Sequence, residues 1–110
     1  MELVVIVLNQ TDLLDELLTD FMNNDLSGAT VLDSSGMGHL ISNQFPMFAM
    51  FAELEDERKN NSKTIFKVVE SVEERDKTVE IVENTCGDLA DPDTAIIFTV
   101  PVSFEKGINY

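Results

Sequence analysis

The chain repeats a strand, helix, strand pattern on either side of a long central insertion. Residues 2 to 36 follow this order, and residues 63 to 102 follow it again. Apolar and β-branched runs predict the strands, and apolar residues three and four positions apart predict the helices. Two such units predict an α+β fold of the ferredoxin-like βαββαβ type. Its four-stranded antiparallel sheet would carry both helices on one face.

In the first unit, the apolar run from Leu3 to Leu8 predicts a central strand, and Ala29 to Asp33 predicts the next one. Between them, Thr11 or Asp12 can accept the first unpaired amide of a helix. One face of that helix is apolar at helical spacing and is expected to pack on the sheet. It comprises Leu14, Leu17, Leu18, Phe21 and Met22.

In the second unit, the predicted strands are Thr64 to Val69 and Ala95 to Val102. Ser71 is a candidate N-cap for a helix that ends near Cys86, and acidic residues follow it in the first turn, where a helix favours them. The apolar face of this helix is narrower than that of the first. It comprises Val72, Val79, Ile81, Val82 and Cys86.

The strands themselves predict an assembly. VVIVL and AIIF are apolar at consecutive positions, so both faces of the sheet have apolar side chains to bury, whereas the helices cover only one. A second copy of the chain could cover the other face. Alternatively, the Phe and Met residues of the insertion could fold back over it within one subunit.

Length and charge exclude several classes of partner. The 110 residues fit a single domain, 1–110, with a long central loop at about 37–62. The formal net charge of −14 disfavours nucleic acid and anionic membranes, because both bind clustered basic residues. No apolar run reaches the roughly 18 residues that span a bilayer, and Glu2 lies where a signal peptide carries a basic residue. We expect a cytoplasmic protein without membrane insertion.

Three motifs accompany this element order. They are SGATV (Ser27 to Val31), GMGH (Gly36 to His39) and IFTVPV (Ile97 to Val102), and a long loop follows the second of them. With them the chain resembles the PII signalling proteins of nitrogen regulation and their wider PII-like family over nearly its whole length. The resemblance implies a homotrimer of ferredoxin-like subunits with small effectors bound between neighbours. It also implies a central loop that touches a target protein, which could be a transporter or an enzyme.

Two segments depart from the family pattern. PII proteins hold ATP or ADP with a Gly-rich loop after the second helix and with basic side chains. The matching segment here, CGDLADPDTA (Cys86 to Ala95), has one glycine, three aspartates and no basic residue, and only Lys106 follows the last strand. These departures argue against ordinary ATP binding and favour a neutral or metal-neutralised ligand, or none. An adenine nucleotide and a metal ion both stay open as cofactors.

The central loop departs as well. It lacks the modifiable tyrosine of enteric PII loops, because Tyr110 is the only tyrosine. Instead it carries an apolar stretch that either packs on the body of the protein or forms an adaptable docking surface. The candidate partner-binding residues in this stretch are Phe45, Met47, Phe48, Met50 and Phe51.

Catalytic chemistry has little support in the sequence. His39 is the only histidine and Cys86 the only cysteine, so a nucleophilic pair would rest on these two residues alone. A structural role for Cys86 is simpler. Neither Arg58 nor Arg75 lies on the Gly-rich phosphate loop that an acylphosphatase requires. We therefore expect no catalytic residues and no enzyme.

The sequence offers two sets of residues that could bind a metal ion. Asp88, Asp91 and Asp93 could present carboxylates to a hard cation, but they lack the Gly spacing and final Glu of an EF-hand. Copper would need Met37, His39, Met47 and Met50 to converge in space. A solvated acidic turn explains the aspartates more simply, so we assign no metal residues.

The resemblance as a whole implies a PII-like trimeric regulator that binds a small effector between subunits. The candidate effector-binding residues are Gly36, Met37, Gly38 and His39 of one subunit and Thr85, Gly87, Asp88 and Leu89 of the next. Two alternatives remain. One is an interaction module that has lost its ligand, and the other is a metal-binding protein like the related CutA proteins.

Overall fold

The computed structural model describes residues 1–37, 61–91 and 94–108. These residues form a small α+β fold of the predicted ferredoxin-like pattern. Its elements, in chain order, are strand β1 (Glu2–Leu8), a 3-10 turn (Thr11–Leu13), helix α1 (Leu14–Asn23), strands β2 (Thr30–Ser35) and β3 (Asn61–Val69), helix α2 (Val72–Cys86) and strand β4 (Ala95–Pro101).

The four strands form one antiparallel sheet in the order β2-β3-β1-β4. Strand β1 pairs along its whole length with β3 on one side and β4 on the other. Leu8 pairs with both Lys63 and Ala95, and Asp33 pairs with Lys63. Asp33 on one edge strand and Ala95 on the other are therefore level with each other across the sheet.

The core lies between the helices and one face of the sheet. Alternate residues of a strand point to the same face, and on β1 these are Val4, Ile6 and Leu8, all fully buried. Leu17 and Phe21 of α1 pack against them. The rest of the buried core comprises Leu26, Ile65, Val69, Ile81, Val82, Cys86 and Ala95.

No described element covers the opposite face of the sheet, which we call the open face. It carries no charged side chain among the described residues, although the chain has a formal net charge of −14. Ile96 is 57% exposed and Phe98 48% exposed there. By the strand pairing, the open face comprises Leu3, Val5, Val7, Thr30, Leu32, Ser34, Ser62, Thr64, Phe66, Val68, Ile96, Phe98 and Val100.

The two helices begin differently. Ser71 is confirmed as the N-cap of α2, where its hydroxyl accepts a hydrogen bond from the Glu74 amide at 3.1 Å. The Glu74 carboxylate in turn accepts the Glu70 amide, which ties the helix start to the end of β3. The predicted cap of the first helix is wrong, because neither Thr11 nor Asp12 caps α1 and a 3-10 turn leads into the helix instead.

Two residues of the predicted apolar helix faces are also exposed. Met22 is 71% exposed and Val72 58% exposed, and each lies in a terminal turn of its helix. On α2, Thr78 is fully buried although it is outside the predicted apolar face. Its hydroxyl donates a hydrogen bond to the Glu74 carbonyl at 2.8 Å. The predicted helix end at Cys86 is confirmed.

Strand ends differ from the prediction by a few residues. Strand β2 runs to Ser35 rather than Asp33, and β3 begins at Asn61 rather than Thr64. Hydroxyl groups explain the extension, because Ser34 and Ser62 hydrogen-bond each other across the two strands at 2.6 Å. Pairing of polar side chains thus continues the sheet where apolar patterning has stopped. At the other end, β4 finishes at Pro101 rather than Val102.

Lys67 on β3 points into the layer between the sheet and the helices. It is 2% exposed, and its ammonium group donates to the Ser27 carbonyl at 2.7 Å. This bond joins the middle of the sheet to the segment between α1 and β2. Burial lowers the pKa of Lys67, and the nearby Glu74 carboxylate opposes that shift.

The lowered pKa predicts a dependence of stability on pH. Between the folded pKa of Lys67 and its unfolded value of 10.5, the unfolded chain binds more protons than the folded chain, so the free energy of unfolding rises with pH in that window. We expect Lys67→Met to flatten this rise in urea unfolding measured from neutral pH to pH 10.5. Lys106→Met in the exposed C-terminal segment is the control. Equal slopes in all three proteins would contradict this assignment.

Candidate functional site

The described part of the candidate effector site consists of two segments at one end of the sheet. Gly36 and Met37 follow β2, whereas the segment from Thr85 to Leu89 ends α2 and leads toward β4. These strands are the two opposite edges of the sheet. Three strand spacings of about 4.8 Å separate them by about 14 Å. Gly38 and His39 lie outside the described residues.

The backbone after α2 turns sharply at Gly87. This residue has φ of +85°, which favours glycine, and its amide closes the last turn of the helix on the Glu83 carbonyl at 2.9 Å. The Asp88 carboxylate then accepts the Ala90 amide at 2.9 Å, and the Asp91 amide donates to the Asp88 carbonyl at 3.1 Å. Hydrogen bonds within the acidic turn therefore hold its conformation.

A shallow, open depression forms at this turn. Its lining residues are Glu83, Gly87, Asp88, Leu89 and Ala90. Leu89 is partly buried and packs against the core. The lining contains two carboxylates and no basic side chain. This electrostatic environment repels polyphosphate, which agrees with the departure from the nucleotide-binding loop of PII proteins.

Thr85 has a structural partner inside the chain. Its hydroxyl donates to the Asp20 carboxylate at 2.6 Å, which links the last turn of α2 to α1. An effector that accepted a hydrogen bond from the Thr85 hydroxyl would have to displace Asp20. Of the predicted effector residues, Thr85 thus contributes first to holding the helices together.

The base of the central insertion has a polar cluster that sequence reasoning missed. Lys63 pairs with Asp33 on the helix side of the sheet. On the open face, the Thr64 hydroxyl donates to Ser34 at 2.9 Å, and Ser34 in turn bonds Ser62. The alternating polar residues in LDSS and NSKT are the signal that could have identified the cluster. It fixes the point at which β2 and β3 leave the sheet.

The catalytic alternatives gain nothing from the described geometry. Cys86 is buried, and both burial and, to a smaller extent, the charge of Glu16 raise the pKa of its thiol. A raised pKa disfavours the thiolate that nucleophilic chemistry needs. Arg75 contacts the carboxylates of Glu2 and Asp76, both at 3.2 Å, rather than lying open to a phosphate.

Several predicted residues cannot be placed. The candidate partner-binding residues Phe45, Met47, Phe48, Met50 and Phe51 lie outside the described residues, as does Asp93. Within residues 1–37, 61–91 and 94–108, no three His, Cys, Asp or Glu side chains are grouped so that they could hold a metal ion. In the same residues, no helix has the length and apolar character needed to cross a membrane.

Comparisons with known proteins show the fold and leave the function open. No family model matches the chain. No curated protein matches its sequence. Among solved structures, a functionally unknown protein from Pediococcus pentosaceus ATCC 25745 is similar with a TM-score of 0.64. The match has 15% sequence identity and covers 97% of this chain and 96% of that one. At this identity it shows a shared fold alone.

The Thr85 contact can be measured by a double-mutant cycle. We expect Thr85→Val to lower the free energy of unfolding by about 1 to 3 kcal/mol, because it removes a hydrogen bond to a carboxylate. Asp20→Asn tests the other partner. A coupling energy of about 0.5 kcal/mol or more between the two changes, measured by urea unfolding, would confirm the contact. Strict additivity would contradict it.

Proposed function

We propose that the protein is a PII-like homotrimeric regulator in the cytoplasm. It binds a small effector in clefts between subunits and signals to a target protein through its central loop. The observation that carries the proposal is the position of the two candidate effector segments. They lie at the same end of the sheet but at opposite edges, so a neighbouring subunit could bring together what one subunit keeps apart.

The open face supports self-association. Ile96, Phe98 and Val100 are exposed at alternate positions of one strand on this face, and contiguous exposed apolar side chains often mark interfaces. Because the chain is strongly acidic, two copies repel each other over most of their surface. An uncharged face is where they can approach without bringing carboxylates together.

The effector is expected to be something other than free ATP. Glu83, Asp88 and Asp91 surround the turn after α2, so a neutral ligand or one whose phosphates are neutralised by a metal ion fits this charge better. Two alternatives remain. The protein could be an interaction module without a ligand, or it could bind metal in the manner of CutA proteins.

Self-association has a direct test at Phe98. We expect the wild-type chain to have the mass of three subunits in size-exclusion chromatography with light scattering. Phe98→Asp should give a folded monomer, because it places a carboxylate in the centre of the buried face. Phe104→Asp is the matched control, since Phe104 is 79% exposed on the segment after β4. A wild-type monomer at high protein concentration would exclude the trimer.

Effector binding has a separate test. Hydrogen exchange of the wild-type oligomer is followed with ATP, ADP, cyclic AMP and divalent metal ions, each added alone and with metal and nucleotide combined. We expect the combination to protect residues 85–91 and the central loop, and ATP without metal to protect neither. Isothermal titration then gives the affinity. Protection by metal alone would favour the CutA-like alternative, and no protection by any addition would favour the module without a ligand.

A further inference from the structure

Strand β2 is the one described strand without a buried residue. All six residues of Thr30–Ser35 are at least partly exposed, whereas β1, β3 and β4 each contribute side chains to the core. Among the described residues, β2 pairs with β3 alone. Burial of apolar side chains is the dominant favourable term in folding, and β2 has little of it. Its attachment therefore depends on backbone pairing and on contacts at its two ends.

Two lysines of β3 make contacts at these ends. Lys63 and Lys67 lie four positions apart, so both point to the helix side of the sheet. Lys63 pairs with the Asp33 carboxylate near the end of β2, and Lys67 donates to the Ser27 carbonyl before its start. We call these two contacts the lysine clasp. The clasp connects β3 to both ends of its edge strand.

The two contacts of the clasp differ in exposure. Lys67 is 2% exposed, whereas the side chain of Lys63 is 32% exposed and that of Asp33 86% exposed. Water and salt screen an exposed ion pair, so it contributes little to stability. A hydrogen bond from a buried charge costs much more to break. Leu26, beside Ser27, is also buried in the core, so the start of β2 is held more firmly than its end.

Hydroxyl groups complete the contacts at the weaker end. Ser34 bonds both Ser62 and Thr64 across the two strands. These bonds join uncharged groups, and salt does not screen them. Of the described side-chain contacts at this end, the ion pair between Lys63 and Asp33 is the one whose strength depends on ionic strength.

We propose that the lysine clasp is a salt-sensitive conformational device, in which the buried contact fixes the start of β2 and the exposed contact releases its end as ionic strength rises. Release separates residues 33–35 from residues 61–63, which flank the central insertion. The segment between the two strands then lengthens by three residues on each side. The inference goes beyond the proposed function, because it needs neither an effector nor a neighbouring subunit.

Hydrogen exchange of the wild-type protein tests the salt response. We expect amides of residues 33–35 and 61–63 that bond across β2 and β3 to exchange about two- to fivefold faster in about 500 mM than in about 20 mM sodium chloride. Amides of residues 30 and 31 should not change. No acceleration at residues 33–35 and 61–63 would overturn the proposal.

The core amides of β1 provide an internal control for overall stability. Salt screens the repulsion among the carboxylates of a chain with a net charge of −14, so we expect exchange in β1 to slow or stay constant. Release of β2 has the opposite sign. Equal acceleration in β1 and at residues 33–35 would indicate general destabilisation and would overturn the proposal.

Variants of the exposed contact show whether the ion pair causes the response. Asp33→Asn and Lys63→Met should each abolish the acceleration by salt, with exchange at this end already faster at low salt. The double variant should be no faster than the faster single one. Lys106→Met removes the same charge as Lys63→Met from the exposed C-terminal segment and should keep the wild-type response. A wild-type response in both Asp33→Asn and Lys63→Met would contradict the assignment.

Lys67→Met tests the buried contact. We expect residues 30 and 31 to exchange about tenfold faster or more, without a new dependence on salt. Lys77→Met is the matched control, because the Lys77 ammonium group donates to the exposed Asn24 carbonyl at 3.0 Å on the same connection. It should have a smaller effect. Unchanged exchange in Lys67→Met would overturn the difference between the two ends, and the response of Lys63→Met decides the salt sensitivity even if Lys67→Met does not fold.

Discussion

The structure depends on strand β1 more than on any other element. It pairs along its full length with both β3 and β4, and its buried side chains Val4, Ile6 and Leu8 form the centre of the core. It joins the two strand, helix, strand units, because β1 belongs to the first unit and its two neighbours belong to the second, and β2 adds a further pairing with β3. Its register therefore sets the relative level of every other strand, including the two edges.

The fold was predictable because the apolar pattern determines both the individual strands and helices and their arrangement in one sheet. Continuous apolar runs identified β1 and β4, and helical spacing identified α1 and α2, so element order and sheet type followed from the sequence. The errors concern local hydrogen bonding. A 3-10 turn replaces a side-chain cap before α1, and hydroxyl pairing between Ser34 and Ser62 lengthens two strands. Neither the turn nor the hydroxyl pairing is visible in the pattern of apolar residues.

The candidate site was predictable only in part. Gly87 was identified as a helix end, and the aspartates after it as an acidic turn, because glycine and aspartate have local conformational preferences. The Thr85 contact with Asp20 and the Lys63 contact with Asp33 join residues 65 and 30 positions apart. Such contacts depend on which faces of which elements meet, and a single sequence does not specify that for polar side chains.

Charge and exposed apolar surface lie on different faces of the described part of this protein. The helices and the turn after α2 carry many of the acidic residues, whereas the open face and the β4 edge carry none. An isolated subunit would expose its apolar sheet to water and keep its carboxylates on the other side. The proposed association through the sheet would bury the apolar side chains and direct the acidic helices outward, where solvent and counterions screen them. The candidate effector segments lie at one end of the sheet, so a ligand bound between subunits as proposed would contact the acidic turn of one subunit and, in another, the end of β2, where Asp33 pairs with Lys63.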